Sequence, residues 1–124
     1  MKNISGNKKI SVKAGTADGE LFKDLIEQDG GVKKLLVAPG ITAYLMGDGS
    51  IIEIYGAGFC YPAYLFSHGN IVVSFKVENV ESTAATLMEK GASLLGEIES
   101  VSTSYRYCHL LTQENTVIGI YEIS

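Results

Sequence analysis

From Lys8 to Lys13 (KKISVK) apolar and polar residues alternate, the period of a half-buried strand, and Gly15 breaks the pattern. Asp18 to Gln28 (DGELFKDLIEQ) then places Leu21, Phe22, Leu25 and Ile26 at helical spacing. This predicts an amphipathic helix with Asp18 as its N-cap and Gly30-Gly31 as its stop. Val32 to Ala38 is a β-rich run ended by Pro39-Gly40. Ile41 to Met46, the turn Gly47-Asp48-Gly49 and Ile51 to Tyr55 follow, and the Asp48-Gly49 pair predicts a hairpin. Residues 8–56 therefore read strand, helix, strand, strand, strand.

Ala57 to Asn70 (AGFCYPAYLFSHGN) lacks a regular period, carries a proline and reads as a connector. Ile71 to Val77 is a strand. Val80 to Lys90 follows as a helix with Val80, Ala84, Leu87 and Met88 as its inward stripe, Asn79 capping its start and Gly91 its end. Ala92 to Val101, Tyr105 to Thr112 and Thr116 to Ile123 read as strands, the last two joined by a turn at Gln113 to Asn115. The element order of residues 8–56 thus recurs over residues 71–123, an internal structural repeat with little sequence likeness. Neither unit can bury its own sheet face. The expected fold is α+β: two βαβββ modules within one domain, forming curved antiparallel sheets around a concave cavity, with helices outside.

Composition narrows the function classes. The chain of 124 residues is 46% apolar and 19% charged, the make-up of one globular domain with its own core. No apolar run approaches the ~20 residues of a membrane span, and Met1 to Ile10 lacks the apolar segment of a signal peptide, so the cytoplasm is the expected compartment. Cys60 and Cys108 have no CxxC spacing and read as packed thiols. The net charge of −4 and the scattered basic residues argue against a nucleic-acid surface. The Ser100 to Ser104 run has no acid or histidine at motif spacing, and no phosphate-cradling glycine loop is present.

Ile71 to Gly91 (IVVSFKVENVESTAATLMEKG), with its apolar strand, the Glu78-Asn79 pair, the helix and the Lys-Gly-Ala stop, resembles the strand-helix signature of the vicinal oxygen chelate superfamily. That superfamily includes glyoxalases, bleomycin-resistance proteins and extradiol dioxygenases. Thr112 to Glu122 (TQENTVIGIYE) is similar to its closing hairpin, though the turn keeps neither the usual proline nor the glycine. Leu21 to Leu25 (LFKDL) and Ser50 to Tyr55 (SIIEIY) resemble its first helix and the last strand of its first half. The resemblance implies a homodimer and, in the metalloenzymes, a divalent cation held by the first and last strands of each half. Here those positions fall near Asn7 or Lys8, on Glu53, on Val72 and on Gly119. Only Glu53 is a usual ligand, and one carboxylate does not hold a catalytic metal against water.

Period two decides which side chains share the concave face. If Glu53 points inward, so do Ile51 and Tyr55, and the Gly47 to Gly49 turn is expected to set Tyr44 and Met46 opposite them. The second turn pairs His109 with Gly119, placing Tyr105, Tyr107, His109 and Leu111 beside Val117, Gly119 and Tyr121. An aromatic wall with one imidazole and one carboxylate is the composition of a small-molecule pocket. Glu53 reads as a ligand contact or general base, or as a carboxylate bonded to a tyrosine such as Tyr44 or facing solvent. His109 reads as a general base or ligand contact, or as a satisfied strand histidine. His68 reads as a surface turn residue, Arg106 as facing the helices or solvent, and Cys108 as core. Phe59, Tyr61, Tyr64 and Phe66 line a pocket mouth or dimer interface, or pack over the sheet edge.

The expectation is a metal-free pocket, with no cofactor, that binds a small organic molecule through Tyr44, Glu53, Tyr55, Tyr107, His109 and Tyr121. Two alternatives stand beside it. One is a divalent-metal-dependent lyase, isomerase or dioxygenase of the glyoxalase type using Glu53 and His109. The other is a non-catalytic dimeric assembly module. Neither nucleic acid nor membrane is an expected partner.

Overall fold

The computed structural model describes residues 8–56 and 62–123. They form β1 (Lys8–Lys13), α1 (Ala17–Gln28), β2 (Lys33–Ala38), β3 (Ile41–Leu45), β4 (Ile51–Tyr55), β5 (Ile71–Lys76), α2 (Val80–Glu89), β6 (Ser93–Ser102), β7 (Tyr105–Leu111) and β8 (Val117–Ile123). Every expected element is present within a residue or two of its expected ends.

The strands make one eight-stranded sheet in the order β2-β3-β4-β1-β5-β8-β7-β6. The sheet is mixed, which corrects the expectation of antiparallel sheets. After each helical crossover two hairpins bring the chain back, so that β4 lies parallel to β1 and β8 parallel to β5. At the centre β1 and β5 pair antiparallel, Lys9 opposite Ser74 and Ser11 opposite Val72.

Helix α1 begins one residue before Asp18. Its cap is Thr16, whose hydroxyl accepts from the Gly19 N–H at 3.0 Å, while Asp18 sits in the first turn. Thr16 holds extended backbone angles there, as an N-cap requires. Phe22 and Ile26 pack on Val12, Ile52 and Ile54, whereas Leu21 and Leu25 face outward. Four apolar residues on one helix make a wider stripe than one sheet face covers. In α2, Asn79 caps as expected, accepting from the Ser82 N–H at 2.8 Å. Val80 and Ala84 pack with Leu87 on Cys108, Leu110 and Ile120, but Met88 is exposed. Fully burying a side chain such as Leu110 stabilises the fold by about 1.5–3 kcal/mol. The opposite sheet face carries a third cluster of Leu65, Val72 and Val117. No helix among the described residues is long and apolar enough to cross a membrane.

Candidate functional site

Both closing hairpins turn through three residues. In the second, the Thr112 N–H donates to the Thr116 carbonyl at 2.9 Å and Asn115 takes φ 64°. In the first, the Met46 N–H donates to the Ser50 carbonyl at 2.8 Å and Gly49 takes φ 90°. A type I turn followed by a left-handed residue is the usual three-residue solution, and Gly or Asn is suited to its last position.

The first turn corrects one site residue. The turn runs from Gly47 to Gly49 as expected, but it opposes Ala43 to Glu53 and Tyr44 to Ile52 rather than Tyr44 to Glu53. One residue of register reverses the face of every side chain on the strand. Tyr44 and Met46 therefore pack beneath α1 with Val12, Ile26 and Ile52, away from the cavity.

On the concave face the strands enclose a cavity of about 340 Å³. Its lining includes Lys9 and Ser11 from β1, Glu53 and Tyr55 from β4, and Ser74 from β5. Tyr105, Tyr107 and His109 of β7 and Tyr121 of β8 complete the wall, with Pro62 and Leu65 from the end of the connector. Of the expected binding residues, Glu53, Tyr55, Tyr107, His109 and Tyr121 come together here, and Tyr44 does not.

The polar end of the cavity is a network. Tyr55 donates its hydroxyl to Glu53 Oε1 at 2.8 Å, and Ser11 donates to the same oxygen at 3.4 Å. Glu53 is thus bonded to a tyrosine, but to Tyr55 on its own strand. Lys9 Nζ lies 3.8 Å from Glu53 Oε2 and donates to the Tyr105 hydroxyl at 2.5 Å. The same ammonium stands 5.2 and 5.4 Å from the ring centroids of Tyr105 and Tyr121, a cation–π geometry. Burial pulls the Lys9 pKa down, but the Glu53 charge and the Tyr105 phenol outweigh it and leave it raised, so Lys9 stays protonated. Burial, then the Glu53 charge, push the Tyr55 hydroxyl well up, and burial raises Tyr107 and Tyr121 as well.

His109 stands at the aromatic end, only 7% exposed, with ring centroids 5.7 Å from Tyr107 and 5.6 Å from Tyr64. Burial, and then the Lys9 charge, bring its pKa down to about 4. The imidazole is neutral at pH 7, and its buried Nδ1 has no hydrogen-bond partner among the described residues. A buried polar atom left unpaired costs free energy that a bound partner recovers.

Several site residues were not picked out by sequence reasoning. Lys9, Ser11 and Ser74 lie at inward positions fixed by the β1 and β5 registers. The alternation in KKISVK already sets Lys9 and Ser11 on one face; it does not say which face is concave. The connector divides. Phe59, Cys60 and Tyr61 lie outside the described residues, Tyr64 packs on His109, Phe66 packs edge-on against Tyr55 at 5.8 Å, and exposed His68 shares a 2.8 Å hydrogen bond with Ser67. Arg106 faces the helix side, pairing with Glu81 at 3.0 Å and Glu122 at 3.9 Å, and Cys108 is a buried thiol raised in pKa by burial.

The divalent cation implied by the resemblance does not fit these residues. Ser11 pairs with Glu53 just as Ser74 pairs with Gly119, so Lys9 takes in the first half the place that Val72 takes in the second. This moves the first-strand position from Asn7, which lies outside the described residues, and from exposed Lys8, to Lys9. The four positions are then an ammonium, a carboxylate, a valine and a glycine, and the ammonium already faces the carboxylate. Among the described residues no three His, Cys, Asp or Glu side chains are grouped to hold a metal ion.

No protein-family model matches the chain, and no curated protein matches it. Solved structures do. A glyoxalase/bleomycin resistance protein/dioxygenase superfamily member from Vibrio splendidus 12B01 aligns with TM-score 0.59 and 12% identity, over 94% of this chain and 97% of the other. A methylmalonyl-CoA epimerase aligns with TM-score 0.61 and 13% identity, over 95% and 94%. A protein described as an NAD-dependent benzaldehyde dehydrogenase from Legionella pneumophila aligns with TM-score 0.62 and 11% identity, over 94% and 99%. The chain therefore has the vicinal oxygen chelate fold. At these identities the likeness defines the fold alone, and an epimerase and a protein described as a dehydrogenase share it.

Proposed function

We propose that the protein binds a small organic molecule in the concave cavity without a metal ion. The observation that carries this reading is the lining. Aromatic and apolar walls surround a Lys9–Glu53 pair at one end and the His109 imidazole at the other. A mostly apolar cavity of about 340 Å³ with a few converging polar groups is typical of small-ligand sites. The fold shared with a glyoxalase/bleomycin resistance protein/dioxygenase superfamily member supports it. The Lys9 ammonium facing Glu53 supports the metal-free part, since a cation bound there has to displace another cation.

A thermal-shift screen of small aromatic compounds against protein purified without chelator tests the reading, paired with elemental analysis. A ligand that binds only the folded state raises the melting temperature with its concentration. The expected result is stabilisation by at least one compound class, with metal far below one equivalent. About one equivalent of Ni, Zn, Fe or Mn, lost in Glu53→Ala, overturns the metal-free reading. Stabilisation by no compound overturns the pocket.

A further inference from the structure

An ammonium and a carboxylate oxygen meet at the polar end of the cavity without bonding to each other. Tyr55 and Ser11 both donate to Glu53 Oε1, at 2.8 and 3.4 Å, and hold the carboxylate in place. Among the described residues its other oxygen, Oε2, accepts no hydrogen bond: Lys9 Nζ stands 3.8 Å away, beyond hydrogen-bond distance. Nor is Oε2 sealed inside the protein, because His109 Nδ1 is the sole buried side-chain polar atom without a partner among the described residues. Oε2 therefore has free surface. An ammonium has three N–H donors, and among the described residues Lys9 gives one, to the Tyr105 hydroxyl. Both side chains line the cavity, 18% and 17% exposed.

The 3.8 Å spacing selects what can bridge the pair. In an amide whose N–H lies on the same side as its carbonyl, nitrogen and oxygen stand about 2.3 Å apart by standard bond lengths. Two hydrogen bonds of about 2.9 Å, from Lys9 to the carbonyl and from the N–H to Oε2, then splay by only about 15° each. A lone hydroxyl serving both partners at about 2.8 Å closes the angle at its oxygen to about 85°, too narrow for two well-aligned bonds. A lone carbonyl leaves Oε2 unpaired. A carboxylate at Lys9 brings a second anion up to Glu53 in a partly desolvated site. The ionised side chains of the lining, Lys9 and Glu53, offset one another, so no net charge is asked of the ligand.

The space beside the pair suits the rest of such a molecule. Ser74 stands opposite Lys9 on β5, and Gly119 follows on β8. A Cβ on Gly119 collides with Ser74 Oγ and comes within 3.1 Å of His109 Cδ2, so glycine keeps this floor open and the His109 atom nearest it is a carbon. Tyr105, Tyr107, Tyr121, Ile41, Ile51 and Leu65 wall the remainder. Such walls fit an aromatic ring.

We propose, on the reading of this cavity as a small-molecule site, that it takes an uncharged aromatic carboxamide or lactam. The carbonyl accepts from Lys9, the adjacent N–H donates to Glu53 Oε2, and the ring lies over Ser74 and Gly119 against the tyrosines.

NMR chemical-shift titration of the full chain at pH 7 with benzamide, acetophenone, benzyl alcohol and benzoate tests this. Benzamide is expected to bind tightest and each of the other three about tenfold more weakly, the worth of one hydrogen bond to a charged group. The double variant Lys9→Met/Glu53→Met, which removes both charges together, is expected to bring benzamide and acetophenone to equal affinity. Circular dichroism checks that it folds; if it does not, the ranking on the unaltered protein decides. Benzamide no tighter than acetophenone or benzyl alcohol, tightest binding by benzoate, or an advantage that survives in the double variant overturns the assignment and leaves the pocket standing. The pocket reading falls as well only when none of the four binds and the thermal-shift screen finds no ligand.

Discussion

In the β1–β4 half of the sheet the inward positions nearest the centre are Lys9, Ser11 and Glu53; in the β5–β8 half the corresponding positions are Val72, Ser74 and Gly119. The order of elements recurs, and both closing hairpins turn through three residues with a left-handed third. The chemistry does not. One half supplies a charge pair and its hydrogen bonds, the other an aromatic wall and an imidazole. Packing differs too. The second half buries Val80, Cys108 and Leu110 completely and the first Val12, while large apolar side chains stay exposed in both, Leu21, Leu25, Leu35, Leu36 and Val37 in the first and Phe75, Met88, Val101 and Ile123 in the second. A repeated fold therefore constrains where side chains stand and leaves open what they are. Here it divides the labour of one cavity between a polar end and an apolar end.

Four measurements break or sharpen that contrast. The largest effect is expected in the better-packed half. Leu110→Ala, at a fully buried position beside Val80 and Cys108, is expected to cost about 3 kcal/mol in urea unfolding. A cost under about 1 kcal/mol removes the packing difference between the halves.

Next comes the pH dependence that His109 imposes. Burial first, and the Lys9 charge second, bring its pKa to about 4, against 6.5 in the unfolded chain. Between those values the unfolded state binds the proton and the folded state does not, so stability falls as pH drops through that window. The full effect is on the order of 3 kcal/mol, present above pH 6.5 and lost by about pH 4. Unfolding curves across this range, compared with those of His109→Phe, read it directly, and identical pH profiles contradict the assignment.

Breaking the charge pair is expected to cost less. Lys9→Met leaves Glu53 with only its Ser11 and Tyr55 hydrogen bonds and lowers stability by about 2 kcal/mol. Adding Glu53→Gln is expected to restore at least half of that, and additive losses show that the pair is uncoupled. The smallest effect falls on the outward face of α1. Leu25→Ala, at a position 58% exposed, is expected to change stability by less than about 0.5 kcal/mol. A larger loss reveals that this face is covered in solution.

Which parts were legible in the sequence follows from the range of the forces involved. Alternation in KKISVK and YRYCHLL, helical spacing in the two amphipathic segments, and Asn79 as a cap are local properties, and they placed the strands and helices within a residue or two. The second hairpin was legible because Gln113 to Asn115 marks a three-residue turn, and with it the His109–Gly119 pairing. The turn of the first hairpin, Gly47 to Gly49, was legible as well, but the facing of β3 was not read from it, since that turn pairs Ala43 and not Tyr44 with Glu53. The Gly47 N–H of that turn donates to Asp29 Oδ2 at 3.0 Å. That contact joins residues far apart in sequence, and it accompanies the register that sends Tyr44 under α1.

By itself, then, the sequence determined the element order, its recurrence, the inward parity of Glu53, Tyr55, Tyr107, His109 and Tyr121, and the poverty of metal ligands. Each of these depends on residue type and on periods of two or 3.6 residues, which are written along the chain. Only the tertiary structure decided that β1 and β5 meet at the centre, and that the Lys9 ammonium faces Glu53. It also set the imidazole at the far end of a row floored by Ser74 and Gly119. Those facts rest on pairings between strands as far apart as Lys8 and Phe75, which burial and backbone hydrogen bonding select together and no local pattern records.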